Sequence, residues 1–290
     1  HVRSRRQRQM CIRDSIIADN GSTDNSIEFL QDNFPTVKLL ELGENYGFCG
    51  GYNRVLKQID AKYYMILNSD VEVTPNWLDP LKKLLDDNPK IAACQPKIKA
   101  YHQPTHFEHA GGAGGFIDMF GYPFCRGRIF ESVEEDKGQY DDTIPIFWAT
   151  GACLFIRSEV FHKMGGFDEH FFAHMEEIDL CWRIKNAGYQ IYYCGESEVF
   201  HVGGGTLHKS NPRKTYLNFR NGLVLMLKNM PRFPLFSVIF LRMILDGIAA
   251  IFFIIKKNPK DAYAVFKAHM SFYHRFRLWN SKRKNNWILS

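Results

Sequence analysis

The chain has 290 residues, 45% of them hydrophobic and 23% charged, a balance that excludes global disorder and allows one large α/β domain, alone or with a helical appendage. Its formal charge of +6 fits an anionic partner such as a nucleotide, a phospholipid surface or a nucleic acid without choosing among them. The seven cysteines are widely spaced and include no C-x-x-C pair, which argues against a disulfide framework or a cysteine zinc site and for reduced thiols in a cytosolic compartment.

Residues His1 to Asp14 carry five Arg, no hydrophobic period and no apolar core of a secretory signal. Ser15 to Asp19 then reads as the end of a buried strand, followed by a turn at Asn20-Gly21. A nucleotide-binding α/β domain normally carries a strand and helix upstream of such a unit. We therefore expect residues 1–14 to be a non-native or disordered leader, and an early strand of the sheet to be missing.

Ser22 to Asn33 has helical spacing, with Ser22, Thr23 or Asp24 as N-cap, and Val37 to Leu42 reads as a strand. A Gly-rich turn, Gly43 to Gly51, is expected to lead into a helix around Asn53 to Gln58. Tyr63 to Leu67 is the apolar run of a strand buried on both faces, ending at Asn68-Ser69-Asp70. Trp77 to Asp87 predicts a helix and Ile91 to Ile98 a strand. This alternation argues for an α/β domain with a largely parallel sheet flanked by helices.

From Ala100 to Tyr140 the texture becomes loops and short strands over the open end of the sheet. Phe147 to Arg157 is strand-like, Met175 to Ala187 predicts a helix, and Ile191 to Tyr193 and Glu198 to Val202 predict two short strands. Leu235 to Ile255 is apolar over about the length a bilayer requires, but Arg242 and Asp246 interrupt it. Lys256 to Lys284 then holds nine Lys or Arg against one acid, Asp261. These features predict amphipathic helices in the interface of an anionic membrane, with helices packed on the main domain as the alternative.

Asp19 and Asp70 each end an apolar strand-like run, at the sheet edge where such folds bind ligands. Asp70 suits a hard divalent cation on phosphates, and Asp19 with Asn20 and Asp24 suits a base or ribose. Taken singly, each is equally a turn or cap residue. Glu176-Glu177-Ile178-Asp179 places acids at a helix N-terminus, where the dipole favours their ionised form. Desolvation there would raise one of them toward the pKa a general base needs. His201 could complete an oxygen-nitrogen metal shell, although a lone His is more often structural.

The ordered set is more specific than its members. Asp19-Asn20-Gly21-Ser22-Thr23-Asp24, Asn45-Tyr46-Gly47-Phe48-Cys49-Gly50-Gly51, Leu67-Asn68-Ser69-Asp70, Thr150-Gly151-Ala152-Cys153 and Gly166-Phe167-Asp168-Glu169 followed by Glu176-Glu177-Ile178-Asp179-Leu180-Cys181-Trp182-Arg183 resemble glycosyltransferase family 2. These are inverting enzymes of the GT-A fold, and the rhamnosyltransferase-like branch is the nearest fit. The resemblance implies a GT-A (Rossmann-like) catalytic domain over 15–222 and a helical, basic region over 223–290.

It further implies nucleotide contacts from Asp19, Asn20, Ser22, Asp24, Gly47, Asn53 and Asn68, and Mn²⁺ or Mg²⁺ held by Asp70 and His201. Glu177 is the implied base, with Glu176 the alternative, because Glu177 stands where the family usually has Asp. Asn68 replaces the first Asp of the family's D-x-D motif. Asp118, Thr150, Gly151, Asp168, Asp179, Trp182 and Arg183 are expected on the acceptor or donor-sugar side. The implied reaction moves a sugar from a dTDP- or UDP-linked donor to a glycan or lipid-linked acceptor, in a cytoplasmic enzyme peripheral on the inner face of the cell membrane. An inactive or truncated nucleotide-sugar-binding protein of the same fold is the alternative. No nucleic-acid partner is expected, since the basic C-terminal region offers charge without base-reading elements.

Overall fold

A computed structural model describes residues 14–129, 132–203 and 211–288, with side chains described up to residue 283. The expected leader, residues 1–14, lies outside the described residues except for Asp14. The chain divides into two compact units, His1–Asp60 and Ala61–Ser290.

In the first unit, β1 (Ile16–Asp19) pairs in parallel with β2 (Lys38–Glu41), Asp19 lying opposite Glu41. Between them α1 (Ser26–Asn33) starts four residues later than the spacing predicts. Ser22 to Asp24 is used in the turn instead, where short polar side chains compete with helix for the backbone amides. After β2, α2 (Gly47–Leu56) begins inside the expected Gly-rich turn. Its glycines serve close approach: a Cβ on Gly51 would stand 3.2 Å from the Asn20 amide.

The second unit opens with β3 (Tyr63–Leu67) and β4 (Val71–Val73), followed by α3 (Leu78–Asp87) and β5 (Ile91–Ala100). Short strands fill the next stretch: β6 (Gln103–Phe107), β7 (Gly115–Ile117), β8 (Pro123–Cys125), β9 (Arg128–Ile129), β10 (Ser132–Val133) and β11 (Thr143–Ile146). Then come β12 (Cys153–Arg157), α4 (Ser158–Lys163), α5 (Glu176–Asn186) and β13 (Gln190–His201). Four helices close the chain: α6 (Pro212–Asn229), α7 (Arg232–Ile255), α8 (Pro259–His274) and α9 (Phe276–Ile288). The expected boundary at 222–223 falls inside α6.

The central sheet runs β11-β13-β5-β12-β3, with β4 added on β13 and β6 on β5. Only β5 and β13 are parallel within it; β12 is antiparallel to both neighbours and β11 to β13. The sheet is therefore mixed, not largely parallel. All five residues of β12 are buried, and a continuous apolar run carries burial but no strand direction. Among the described residues β3 pairs only with β12, and it buries Tyr64 and Ile66 while Tyr63, Met65 and Leu67 stay part-exposed, so it is not buried on both faces. The two short strands expected near residues 191–202 are one strand, β13, with a register shift between Cys194 and Glu198. Leu81 and Leu85 of α3 pack on Ile91, Cys94, Phe155 and Cys194 across the sheet, each contributing about 2 kcal/mol by burial. All six described cysteines are buried and outside any disulfide.

Candidate active site

The site is organised around the start of α5. Phe172, His174 and Met175 have φ of 67°, 67° and 73°, left-handed values that cost non-glycine residues about 1–3 kcal/mol each. They persist because α6 over-determines them. Asn221 Nδ2 donates to the carbonyls of Phe171 (3.1 Å), Ala173 (3.0 Å) and His174 (2.7 Å). Arg220 Nη2 donates to the carbonyls of His170 (3.1 Å) and Phe171 (2.9 Å), and its Nε to Asn221 Oδ1 at 2.8 Å.

This strap delivers Glu176 and Glu177 to the first turn of α5. Oε2 of each, and Nε2 of His174, are buried with no hydrogen-bond partner. Buried polar atoms of this kind call for a partner that arrives with a ligand. Desolvation pushes the Glu177 carboxyl up to about 6. Glu176 stands well above the ordinary carboxylate range, through desolvation first and the charge of Glu177 second. Burial and mutual repulsion thus raise both members of the pair above ordinary carboxylates.

The acids expected on the acceptor side are held in a closed network instead. Asp179, fully buried, accepts from Arg183 Nε (2.9 Å) and Asn229 Nδ2 (2.8 Å) and pairs with Lys228 Nζ (2.8 Å). Asp168 pairs with Lys228 and Lys282, both at 2.7 Å. Burial would raise both carboxyls, but Lys228 overrides it and holds them below the ordinary range. Arg183 also donates to the carbonyls of Met164 and Gly166. Trp182 is buried edge-on against Phe147, ring centroids 5.2 Å apart.

Two further expected contacts hold turns. Asp118 Oδ1 accepts from the amides of Phe120 (2.9 Å) and Tyr122 (2.8 Å) between β7 and β8. Thr150 is buried, its amide donating to Gln95 Oε1 at 2.9 Å, and with Gly151 it forms the turn into β12.

Asp70 and His201 are neighbours by register, since Val71 of β4 lies opposite His201 at the end of β13. Asp70 Oδ1 is 3.2 Å from His201 Nε2. His201 Nδ1 has no hydrogen-bond partner, and Glu108 Oε1 stands 3.8 Å behind it. Burial pushes the Glu108 carboxyl up, opposed by His201. Among the described residues no group of three or more His, Cys, Asp or Glu is arranged to hold a metal. One carboxylate and one imidazole fit a divalent ion whose other positions go to phosphate oxygens and water. A carboxylate hydrogen-bonded to the imidazole is the usual support of a metal-binding His; Glu108 stands on that side of His201 but beyond hydrogen-bond distance. Asn68, next to this pair, donates its backbone N–H to Ala152 O at 3.0 Å.

In the first unit, the Asp19 carboxylate accepts from the amides of Gly21 (3.1 Å) and Ser22 (3.2 Å). Hydrogen bonds from Ser22, the largest influence, hold it below the ordinary range. Asn20, expected on the nucleotide, spends its amide inside the protein: Nδ2 donates to Gly47 O at 3.1 Å and Oδ1 accepts from Tyr46 N at 3.0 Å. Gly21 has φ 80°, and a Cβ there would lie 2.7 Å from the Glu44 carbonyl carbon. Asp24 accepts from Ser26 N at 3.1 Å, closing a turn just before α1, whose N-cap position is Asn25. Asn53 is buried on α2, whereas Ser22 is exposed.

The family model "Glycosyl transferase family 2" matches residues 8–165. This chain belongs to glycosyl transferase family 2. The N-acetylglucosaminyl-diphospho-decaprenol L-rhamnosyltransferase of Mycobacterium tuberculosis (strain H37Rv) is 29% identical over 206 residues, covering 64% of this chain. The chain spans 65% of that relative's length. Among solved structures, GalNAc-T7 with UDP, GalNAc and Mn²⁺ superposes with a TM-score of 0.54 at 14% identity, over 71% of this chain and 41% of its own. The mannosyltransferase PcManGT of Pyrobaculum calidifontis, with GDP-Man and Mn²⁺, gives 0.50 at 12% identity, over 95% and 76%. At these identities the likeness establishes the fold, α/β and GT-A-like with a mixed central sheet.

For this family 2 chain the sequence motifs pass over Arg220, Asn221, Glu108 and Gln95. One signal was available for the first two. On α6 the spacing Leu217, Arg220, Asn221, Val224 puts two polar residues on a buried, otherwise apolar stripe, where a polar group must find a partner.

Proposed function

We propose that this chain transfers a sugar, rhamnosyl or another hexosyl, from a nucleotide-diphosphate donor to the hydroxyl of a glycan or lipid-linked acceptor, with inversion. The observation that carries the proposal is the pair of unpartnered carboxylate oxygens at the start of α5, where desolvation pushes Glu177 up to about 6. Glu177, ionised at neutral pH, accepts the proton of the acceptor hydroxyl as that oxygen bonds to the anomeric carbon. The bond from that carbon to the diphosphate breaks in the same displacement, which inverts the centre. Glu176 beside it is pushed up by burial and by the charge of Glu177, which disfavours ionising both carboxyls at once. The strap of Phe171 to Met175, tied by Asn221, fixes where the base stands.

Asp70 and His201 would hold Mn²⁺ or Mg²⁺, with Glu108 behind the imidazole. When bound, the ion supplies positive charge that offsets the charge gathering on the departing diphosphate. Asp19 is assigned to the nucleotide base or ribose, and the donor to a dTDP- or UDP-linked sugar. The lipid-linked acceptor is argued from the mycobacterial relative, whose name carries a polyprenyl-diphosphate acceptor.

The test is a panel of labelled nucleotide sugars with a polyprenyl-diphosphate-linked N-acetylglucosamine acceptor, run with and without Mn²⁺. Metal-dependent transfer is expected, and Glu177→Gln should abolish it while leaving donor affinity nearly intact. Equal turnover by Glu177→Gln would remove it as the base. Donor binding without transfer under every condition would favour a non-catalytic nucleotide-sugar-binding protein.

A further inference from the structure

Among the described residues one helix, α7, is long and apolar enough to cross a membrane, and only 22% of its most apolar stretch is covered by protein. Its two faces differ sharply. Leu235, Val238, Ile239, Arg242 and Asp246 are buried. Phe236, Phe240, Ile244, Ile248, Ile251 and Ile255 are exposed and recur every three or four residues, a single helical stripe.

The covered face is bolted to the rest of the second unit by polar contacts. Arg242 Nε pairs with Asp246 Oδ1 at 2.8 Å, and its Nη1 donates to Phe120 O at 2.9 Å. Asp246 also accepts from Tyr122 OH and pairs with His269 Nε2, both at 3.0 Å. The Arg242 guanidinium lies 3.6 Å from the centre of the Tyr122 ring. The two charges that looked like interruptions of a spanning segment are thus the attachment of α7 to the β7–β8 hairpin and α8. To span, α7 would have to break these contacts and carry an ion pair into hydrocarbon.

The second stripe belongs to α8. Ala262, Val265, Ala268 and Phe272 are buried, while Tyr263, Phe266, Met270 and Tyr273 are exposed. Tyr273 OH reaches Met243 Sδ of α7 at 2.7 Å, which joins the two stripes. Ammonium groups edge this surface. Lys256 Nζ sits 5.2 Å from the Phe252 ring and Lys267 Nζ 5.8 Å from the Tyr263 ring, with Lys257 and Lys260 at the α7–α8 corner. Of the cationic residues after α7, Lys282 pairs with Asp168 and Arg283 is buried, whereas Lys256, Lys257, Lys260 and Lys267 are exposed; the one acid among them, Asp261, is buried. Protein interfaces deplete Lys. An apolar aromatic face rimmed by Lys is instead what an anionic lipid surface selects, because alkyl stems lie on the acyl boundary while ammonium groups reach the headgroups.

We propose that the exposed stripes of α7 and α8 form a monotopic docking surface that inserts into one leaflet of an anionic bilayer without crossing it. The charge complementarity and the polar attachment of α7 single out lipid over a second copy of the chain. The reading is independent of the transfer chemistry.

The experiment is flotation of the full chain with phosphatidylcholine vesicles and with phosphatidylcholine–phosphatidylglycerol vesicles. Binding should be stronger to the anionic vesicles, on the order of tenfold or more, and should weaken in high salt. Phe240→Glu/Ile244→Glu/Ile248→Glu changes only exposed side chains; it should keep the circular dichroism spectrum and lose flotation. Lys256→Glu/Lys257→Glu/Lys260→Glu should reduce binding to anionic vesicles alone. Alkaline carbonate should release the bound protein. Unchanged flotation of the apolar triple variant would overturn the proposal, as would retention in carbonate, the mark of a spanning helix. So would a dimer in light scattering that ignores vesicles and dissociates in the apolar variant, which would assign the face to a second copy.

Discussion

The side-chain amide of Asn221 donates to the carbonyl of His174 at 2.7 Å, across 47 positions of sequence, and so fixes a left-handed residue two places before Glu176. Removing that donor leaves three carbonyls of the strap without it. Asn221→Ala should lower stability by about 1–3 kcal/mol, read as a fall in Tm. If the strap relaxes, the base moves, and kcat should drop on the order of 100-fold while the donor KM changes little. A lowered Tm with unchanged kcat would confine Asn221 to stability.

The pH dependence follows from Glu177. Its carboxyl is pushed from an ordinary 4.5 up to about 6 by desolvation, so kcat/KM should rise with pH through about 6 and flatten above. The native state holds this proton more tightly than the unfolded chain, so the group's ionisation lowers stability as pH rises from 4.5 through 6. Glu177→Gln should lose transfer and gain Tm relative to the wild type at pH 7, a gain that shrinks at pH 5. An equal Tm difference at both values would contradict the assignment.

Lys228 serves two carboxylates, Asp168 at 2.7 Å and Asp179 at 2.8 Å. Lys228→Met leaves both with one cation fewer in a buried setting and should cost about 3–5 kcal/mol. Both carboxyls sit below their ordinary 3.8, so this stabilisation is complete above that value and is lost as pH falls beneath it. Urea midpoints of the two proteins should therefore differ most at neutral pH and converge in acid. A gap that persists in acid would assign the loss to packing.

The Asp70–His201 pair makes a metal prediction separable from activity. Asp70→Asn and His201→Ala should each weaken Mn²⁺ binding in the presence of nucleoside diphosphate, followed by electron paramagnetic resonance. Glu108→Gln, acting through the imidazole, should weaken it by about 10-fold. Identical Mn²⁺ titrations in all three variants would remove the site.

Much of the fold was legible because it is written in local chemistry. Tyr63–Leu67 is a strand with the expected bounds, and α5 starts where acids precede an apolar period. Other features were not. The glycines at Gly47 to Gly51 read as a turn because helix propensity disfavours them, yet the need to approach Asn20 outweighs propensity and α2 begins there. Asn20 itself carries a motif suited to a nucleotide, and only its contacts with Tyr46 and Gly47 show it bracing the Gly-rich segment. Arg242 and Asp246 read as flaws in an apolar helix until Tyr122, Phe120 and His269 supply their partners.

By itself the sequence determined which segments are buried, where the acids stand along the chain and to which family the motifs belong, because apolar periodicity and short motifs are local quantities. Only the tertiary structure decided strand direction in β12, the sequestration of Asp168 and Asp179, and the desolvation that raises Glu176 and Glu177. Each depends on groups distant in sequence: an apolar run is the same read in either direction, and a carboxylate's pKa is set by what surrounds it in space.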